Sequence, residues 1–564
     1  MTSNETGGTD TTTAGNEHIS LFAPLGVPVF RRIWYASLLS NFGLLIQGVG
    51  AAWAMVQLGA SPAMVALVQT ALMMPVMFVA MAAGALADMF DRRKVGMAAL
   101  SIALVSATCL SLCAFANLLS PPLILLFCFL IGTGQALFIP SWQASVAEQV
   151  PAETLPQAVA LSSISFNIAR SFGPAIGGVI VAVAGAVAAF TTNALFYLPM
   201  MIALFTWRRE IAPTRLPPER LGRAIVSGLR YILHSPPIRV ALCRVLILGL
   251  AGGSISALMP LVANTLLQGG AQTYGLLLGA LGMGSVVGAI VMRPASDRLG
   301  TESTVTICAL ILGLCLTIVA FSPWLVLTWV ALLAGGVVWT LSITLFNINI
   351  QLSAPRWVAG RALAAFQAAI AGGIAIGSWF WGTVASHFSV SGALALSAAA
   401  IAATAALRFV LRLPNVSATD KDNVPLGDID IALDLTGRSG PIVVEVEYRI
   451  DPDEARPFYR AMQDVQQIRA RNGAYDWSLA RDIGDPWGWI ERFHCPTWHD
   501  YLRLRDRNTQ EEMDAMALAF IHHREAGPPG VRRLLERPFG SVRWRDEALD
   551  DGLRGVLPAP GPSA

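Results

Sequence analysis

Charge is scarce in this chain of 564 residues: Asp, Glu, Lys and Arg make up only 13%, against 54% hydrophobic residues. That balance excludes a disordered polyelectrolyte and points to a membrane protein. The charge that is present nearly cancels, at +2, so no basic field exists to recruit nucleic acid. Of the seven cysteines, Cys109, Cys113, Cys128, Cys243, Cys308 and Cys315 lie in or at the ends of apolar runs. None has the paired spacing of a zinc site or a disulfide framework, so they read as small packing residues, and no metal or cofactor is expected. No Asp or Glu lies in the middle of an apolar run; Asp88 and Glu148 stand at run ends. Residues 1–28 lack both a basic start and a cleavable apolar core, so they read as a disordered tail rather than a signal peptide.

What the chain has in abundance is apolar runs long enough to cross a bilayer, which takes roughly 20 helical residues. Twelve are expected, at about 30–57, 63–87, 95–116, 122–147, 157–183, 187–207, 239–264, 272–293, 303–321, 324–351, 359–386 and 391–411. Arg31-Arg32, Arg92-Arg93-Lys94, the arginines from Arg208 to Arg239, Arg293, Arg298, Arg356 and Arg412 all fall on one side. The opposite short connections carry no Arg or Lys. By the rule that cytoplasmic loops are basic, both termini are expected in the cytoplasm of a multi-pass protein of the cell inner (plasma) membrane.

Shifting the sequence by 204 positions places Gly48 on Gly252, Gly84 on Gly288, Gly132 on Gly336, Pro151 on Pro355, Gly173 on Gly377 and Gly178 on Gly382. Matches at one offset across the apolar region indicate two similar six-helix halves. Between them, Leu221, Ile225, Leu229 and Ile232 recur at helical spacing beside Arg220, Arg223 and Arg230, as in an interfacial helix.

The expected divisions are a disordered tail at 1–28, a first half at 29–207, a linker with the interfacial helix at 208–238, a second half at 239–412, a linker at 413–439, a soluble domain at 440–548 and a tail at 549–564. In the soluble part, Pro441–Ile450 alternates as a strand with Ile442, Val444, Val446 and Tyr448 on one face. A helix over Asp453–Arg471, strands near 474–482 and 488–494, and helices at Trp498–Arg505 and Thr509–His523 follow. Val531–Val542 reads equally as strand or helix. The order suits a small α+β ferredoxin-like sandwich. His494, His499, His522 and His523 are scattered, and no nucleophile–base pair or metal spacing is visible there.

Three stretches carry the functional signal. Gly84-Ala85-Leu86-Ala87-Asp88-Met89-Phe90-Asp91-Arg92-Arg93-Lys94 resembles the loop motif between helices two and three of the major facilitator superfamily. Asp91 stands where that motif has glycine, and the second-half counterpart has Met292 in place of the acid. Arg170 to Gly178 resembles the glycine–proline motif in the fifth helix of that superfamily's exporters. Pro140-Ser141-Trp142-Gln143-Ala144 and Asn167-Ile168-Ala169-Arg170 are similar to the branch that includes the enterobactin exporter. The tail, with Gly473-Ala474-Tyr475-Asp476-Trp477, is similar to C-terminal domains of some branch members, which resemble small dimeric α/β-barrel proteins.

This resemblance implies the major facilitator fold and conformational gating by Gly84, Asp88, Arg92, Arg93, Lys94, Glu148, Arg170, Gly173, Pro174, Gly177 and Gly178. Topology-setting charge alone remains the alternative for the loop, and helix packing alone for the glycines. Polar positions repeat on several spans: Asn41 and Gln47 in the first, Gln135 and Trp142 in the fourth, Asn167 in the fifth, and Thr344, Asn347 and Gln351 in the tenth. They are candidates for a substrate path, though single Asn and Gln residues also bridge helices. The expected function is secondary transport that exports small organic molecules, siderophore-like or drug-like. Proton antiport is implied by the resemblance only. The alternative is a membrane-tethered enzyme or regulatory protein whose C-terminal domain acts on the transported molecule. The expected partners are a small-molecule substrate, the bilayer and, through the C-terminal domain, a second copy of the chain.

Overall fold

A computed structural model describes residues 20–207, 221–413 and 431–536, apart from 147, 434 and 526. Residues 1–19 of the first tail, 208–220 of the first linker, most of the second linker and the tail at 549–564 lie outside the described residues. Four helices open the chain: α1 (Pro28–Gln57), α2 (Pro62–Met89), α3 (Arg92–Phe115) and α4 (Pro121–Val146). The next helical run, Leu155–Thr206, is too long for one crossing and is interrupted at Gly185, whose φ of 76° only glycine adopts easily. It divides into α5 (155–184) and α6 (186–206). Their packing shows the reversal. Gly173 and then Gly177 meet Leu45 and then Ile46 of α1, running parallel to it, whereas Asn193 and then Ala189 meet Gly43 and then Gly50, running antiparallel.

A connector helix, α7 (Leu221–Leu233), leads to the second half. There α8 starts at Pro236–Gly252 and continues to Leu266 in short pieces, ending in a π-helical turn. Where its ladder breaks, serine hydroxyls bridge the gap: Ser397 donates to the Ala251 carbonyl at 2.7 Å and Ser378 to that of Gly253 at 3.3 Å. The set is completed by α9 (Ala271–Leu299), α10 (Thr301–Phe321), α11 (Leu325–Ser353), α12 (Arg356–His387) and α13 (Val390–Ala403). Among the described residues, eleven helical stretches are long and apolar enough to cross a membrane. The break at Gly185 makes the longest of them two crossings, and so gives the twelve expected.

The glycine repeat reappears as equivalent contacts. Gly173 packs α5 on α1 at Leu45, and Gly377 packs α12 on α8 at Leu250. Gly132 packs α4 on α2, and Gly336 packs α11 on α9. Between the halves, Gly178 joins α5 to α9 while Gly382 joins α12 to α2.

After the second linker, β1 (Ile442–Arg449), α14 (Ala455–Asn472), β2 (Tyr475–Arg481), β3 (Gly488–Cys495), α15 (Trp498–Asp506), α16 (Gln510–Phe520) and β4 (Gly530–Leu535) form the soluble domain. Its sheet is antiparallel in the order β2-β3-β1-β4, the ferredoxin-like order. Of the segment readable as strand or helix, residues 531–535 are strand, and residues 537–542 lie outside the described residues. Ile442, Val444, Val446 and Tyr448 form the buried face with Phe458, Met462 and Phe493. Glu491, fully buried, accepts from the Tyr448 hydroxyl, Arg469 and Trp477, so its charge is paired and hydrogen-bonded.

Two expectations need correction. A short 3-10 turn at Ala23–Gly26 packs Pro24 and Leu25 against the bundle, so ordered structure begins before residue 28. On α7 the buried strip is Gly228, Tyr231 and Ile232, while Leu229 is exposed; the side facing the bundle is offset from the expected apolar stripe.

Candidate functional site

Among the described residues the halves meet along two seams, and the contacts of both lie toward one side of the membrane region. Along the α2–α12 seam, the Ser386 hydroxyl accepts from the Ala63 amide at 2.9 Å, Gly382 abuts Ala66, and Thr70 donates to the Ala375 carbonyl at 2.8 Å. The innermost close approach is Met77 against Gly372. Along the α5–α9 seam, a methyl added to Gly178 would come within 2.6 Å of the Ala271 carbonyl oxygen. Ser171 then donates to the Gly282 carbonyl at 3.0 Å. These residues lie toward the face away from the chain termini, the distal face. The hydrophobic core agrees. The buried cluster shared by both halves takes Ile46–Met55 and Val65–Ala71 from the first half, whereas Phe30, Ile33, Trp34 and Ala36 belong to clusters confined to that half. Among the described residues, the halves are thus joined at the distal face and make no comparable seam at the terminal face.

Helix α5 reads this state along one stripe. Val159, Ser163, Asn167, Arg170, Pro174 and Gly178 recur at spacings of three and four, which place them on one helix face. Pro174 and Gly178 are pressed against Gly275 of α9, while Val159 is 52% exposed and Ser163 is open. The lipid-facing side lies elsewhere on α5, marked by Phe172, Ile176, Val179 and Val183. Arg170 sits at the point where the seal begins, about 15 residues from either end of its helix, or roughly 22 Å at 1.5 Å per residue. Among the described residues no group bonds to its guanidinium. Asn167, one turn nearer the opening, donates to the Ser163 carbonyl at 2.9 Å.

The glycines of the expected gate serve two contacts. Gly173 and Gly177 accommodate α1 within the first half, and Gly178 together with the Pro174 carbonyl faces the other half. Three residues of the loop motif make contacts within the first half. Asp91 caps α3 by accepting from the Arg93 amide at 2.9 Å. Arg92 pairs with Glu148 at 2.8 Å, and Arg93 donates to the Phe205 carbonyl at 2.5 Å while covering the Phe205 ring. Lys94 is exposed. The side chains of Gly84 and Asp88 lie outside the described residues.

The polar candidates are dispersed. Gln47 is buried and bonded to Asn193, so it bridges α1 and α6. Gln135 donates to the Tyr197 hydroxyl at 3.1 Å, and Trp142 stacks on Phe138 with centroids 6.3 Å apart. Asn347 and Gln351 bond to each other, one turn apart on α11. Asn41 and Thr344 are half-buried.

Two features escaped the sequence reading. Arg244 on α8 is buried and pairs with Glu302 at the start of α10 at 2.7 Å. It also donates to the Leu411 carbonyl and lies over the Phe346 ring. Glu302 in turn accepts from the Leu413 amide at 2.9 Å. The second feature is the seat of the C-terminal domain. The Arg507 guanidinium lies 3.9 Å from the centre of the Trp357 ring at the start of α12, and Arg471 lies over Tyr231 of α7 at 5.4 Å. Arg230 donates to the Gly473 carbonyl at 3.2 Å, and Tyr231 meets Trp357 edge-on. Arg361 of α12 donates to the Ser227 hydroxyl of α7.

Comparison with known proteins fits this architecture. The family described as transmembrane secretion effector matches residues 19–539, a range that includes the C-terminal sheet. The multidrug efflux pump Tap of Mycolicibacterium fortuitum is 26% identical over 58% of this chain and 82% of its own. The enterobactin exporter EntS of Escherichia coli O1:K1 / APEC is 26% identical over 62% of this chain and 84% of its own. The staphyloferrin A transporter of Staphylococcus aureus is 23% identical over 51% and 72%. Among solved structures, a mutant of the nucleoside transporter NupG superposes with a TM-score of 0.56 at 12% identity, covering 68% of this chain and 99% of its own. A bacterial homolog of the human lysosomal transporter Spinster, in an inward-facing unoccupied conformation, gives 0.53 at 13% identity, over 68% and 95%. These families are transporters, which leaves the tethered-enzyme alternative without support. The chain belongs to the transmembrane secretion effector family, and is a multi-pass membrane transporter of the major facilitator type.

Proposed function

We propose that this protein exports small organic molecules from the cytoplasm by alternating access, and that the structure corresponds to its inward-facing state. The terminal face is the cytoplasmic one, because the basic loop residues fall there and cations are retained on that side. The observation that carries the reading is the pair of glycine seams, which among the described residues close at the distal face. Rocking the halves about Gly178 and Gly382 would open that face and bring the cytoplasmic ends of α5 and α9 together. The relatives' names support an exporter of drug-like or siderophore-like compounds. The first-half residues Arg92 and Glu148 then act in the loop that must re-dock when the cytoplasmic side closes.

The C-terminal domain serves as a brace on this cycle. It grips α7, the linker between halves, and Trp357 at the root of α12, so its seat favours the inward-facing arrangement. Self-association through the same domain belongs to this proposal as well, and the oligomeric state in detergent tests it. The main test is efflux from loaded vesicles containing the purified protein, across a panel of drugs and siderophores. Export of some member that stops when a disulfide locks the distal seam, through Ala66→Cys with Gly382→Cys, is the expected result. Undiminished export by the locked protein would refute the mechanism.

A further inference from the structure

Among the described residues, Arg170 has no bonded partner where the physics demands one. An arginine cannot shed its proton, and a guanidinium at mid-membrane is stable only beside a partner or in water. Candidate acids are absent from the middle of every span: between residues 28 and 413 they occur at Asp88, Asp91, Glu148, Glu153, Glu210, Glu219, Asp297 and Glu302, at helix ends or in the linker. The other arginine well inside a span, Arg244, shows what full satisfaction looks like in this protein, with Glu302, a carbonyl and an aromatic ring around it. Arg170 has no such set among the described residues.

Its surroundings are those of a ligand subsite. It lies at the apex of the parted region, directly below the seal that Ser171 makes with Gly282. On the open side the same face continues with Asn167 and Ser163, both able to hydrogen-bond an oxygen-rich group. The Asn167 amide is turned toward its own helix by its bond to the Ser163 carbonyl, and an arriving acceptor can recruit it.

We propose that Arg170, assisted by Asn167 and Ser163, is the subsite that binds the anionic group of the exported molecule, a carboxylate or another oxyanion. This rests on the exporter reading for the word exported, but the subsite itself does not. The guanidinium fork engages two oxygens of such a group at once, which an ammonium does not. A neutral or cationic compound would leave the charge unpaired. On switching to the distal-open state, the anion leaves through the side where Gly178 and Gly275 had closed the path.

The test needs no known substrate. In the full-length protein with its native cysteines replaced, Asn167→Cys and, separately, Ser163→Cys are exposed in inside-out vesicles to the anionic reagent methanethiosulfonate ethylsulfonate and to its trimethylammonium counterpart. The expected result is a faster reaction with the anion. The anion-to-cation rate ratio should fall about ten-fold when Arg170→Gln is added, and persist with Arg170→Lys, since a unit charge at this range in a partly dry site acts strongly. Benzoate, but not benzamide, should slow the labelling while Arg170 is present, and Arg170→Lys should weaken that protection. Equal rates for the two reagents, or a ratio unmoved by Arg170→Gln, would overturn the subsite. Because labelling requires no turnover, that failure would leave the exporter reading standing. Vesicles that export no tested compound despite normal labelling would strike the exporter reading instead.

Discussion

Arg170 in the first half and Arg244 in the second both sit inside membrane helices, and they are treated in opposite ways. Arg244 is enclosed by Glu302, the Leu411 carbonyl and Phe346, and locks α8 to α10 and to the end of the chain's last span. Arg170 lies on the face of α5 that turns toward the other half, with the seam closed just beyond it. The first is a structural cation, whose partner is supplied by the fold. The second has no such partner among the described residues; with the anion-binding role proposed for it, that difference would separate the part of the molecule that must hold still from the part that must exchange ligands.

Breaking each arginine in turn should expose the difference. Arg244→Ala leaves Glu302 charged and largely buried; loss of one member of a buried pair costs about 3–5 kcal/mol. We expect a large fall in thermal stability in detergent, recovered in good part by Arg244→Met combined with Glu302→Met. Arg170→Gln should barely move the melting temperature while reducing export of anionic compounds. If both variants melted alike, the contrast would be mistaken.

The next effect in size belongs to the seam. Gly178→Leu inserts a side chain where the Ala271 carbonyl and Gly275 leave no room, and overpacking of this kind costs about 1–3 kcal/mol. Because the clash is between halves, it should shift the balance toward the distal-open state by roughly ten-fold, at about 1.4 kcal/mol per factor of ten. Cysteine accessibility from the two faces measures it. Gly177→Leu presses on Ile46 within one half, and should lower stability with little change in that balance.

Smaller again is the brace. Arg507→Ala removes a cation–π contact worth about 0.5–2 kcal/mol. We expect faster hydrogen exchange in α7 and a few-fold change in export rate, with the bundle's melting temperature unaltered. Least of all should respond Cys495, whose thiol burial pushes up to about 12. It should stay unalkylated at pH 8 in the folded protein, in contrast to the exposed Cys243.

Legibility followed the range of the interactions. Span positions came from local hydropathy, and the ferredoxin-like order from alternation and turn residues, because both are written into neighbouring residues. The shared offset of Gly173 with Gly377 and Gly178 with Gly382 carried the two halves, since close helix approach tolerates little else at those points. The pairing of Arg244 with Glu302 was invisible because neither residue points to the other in sequence; only folding brings together residues 58 apart. The same holds for Arg507 and Trp357, separated by an entire linker. Arg170 was conspicuous from the start as a charge in an apolar run, but its lack of a bonded partner among the described residues could be seen only in the structure.

The turn at Gly185 has a mechanical meaning. With a single non-helical residue joining them, α5 and α6 share no slack, and both are keyed into α1, one through Gly173 and Gly177, the other through Gly43 and Gly50. A push on the terminal-face end of α5 therefore cannot be absorbed at the distal loop; it must turn three helices together. The connection behaves as a stiff yoke, so an anion bound at Arg170, as proposed, would be carried by the whole half and not by one bending helix.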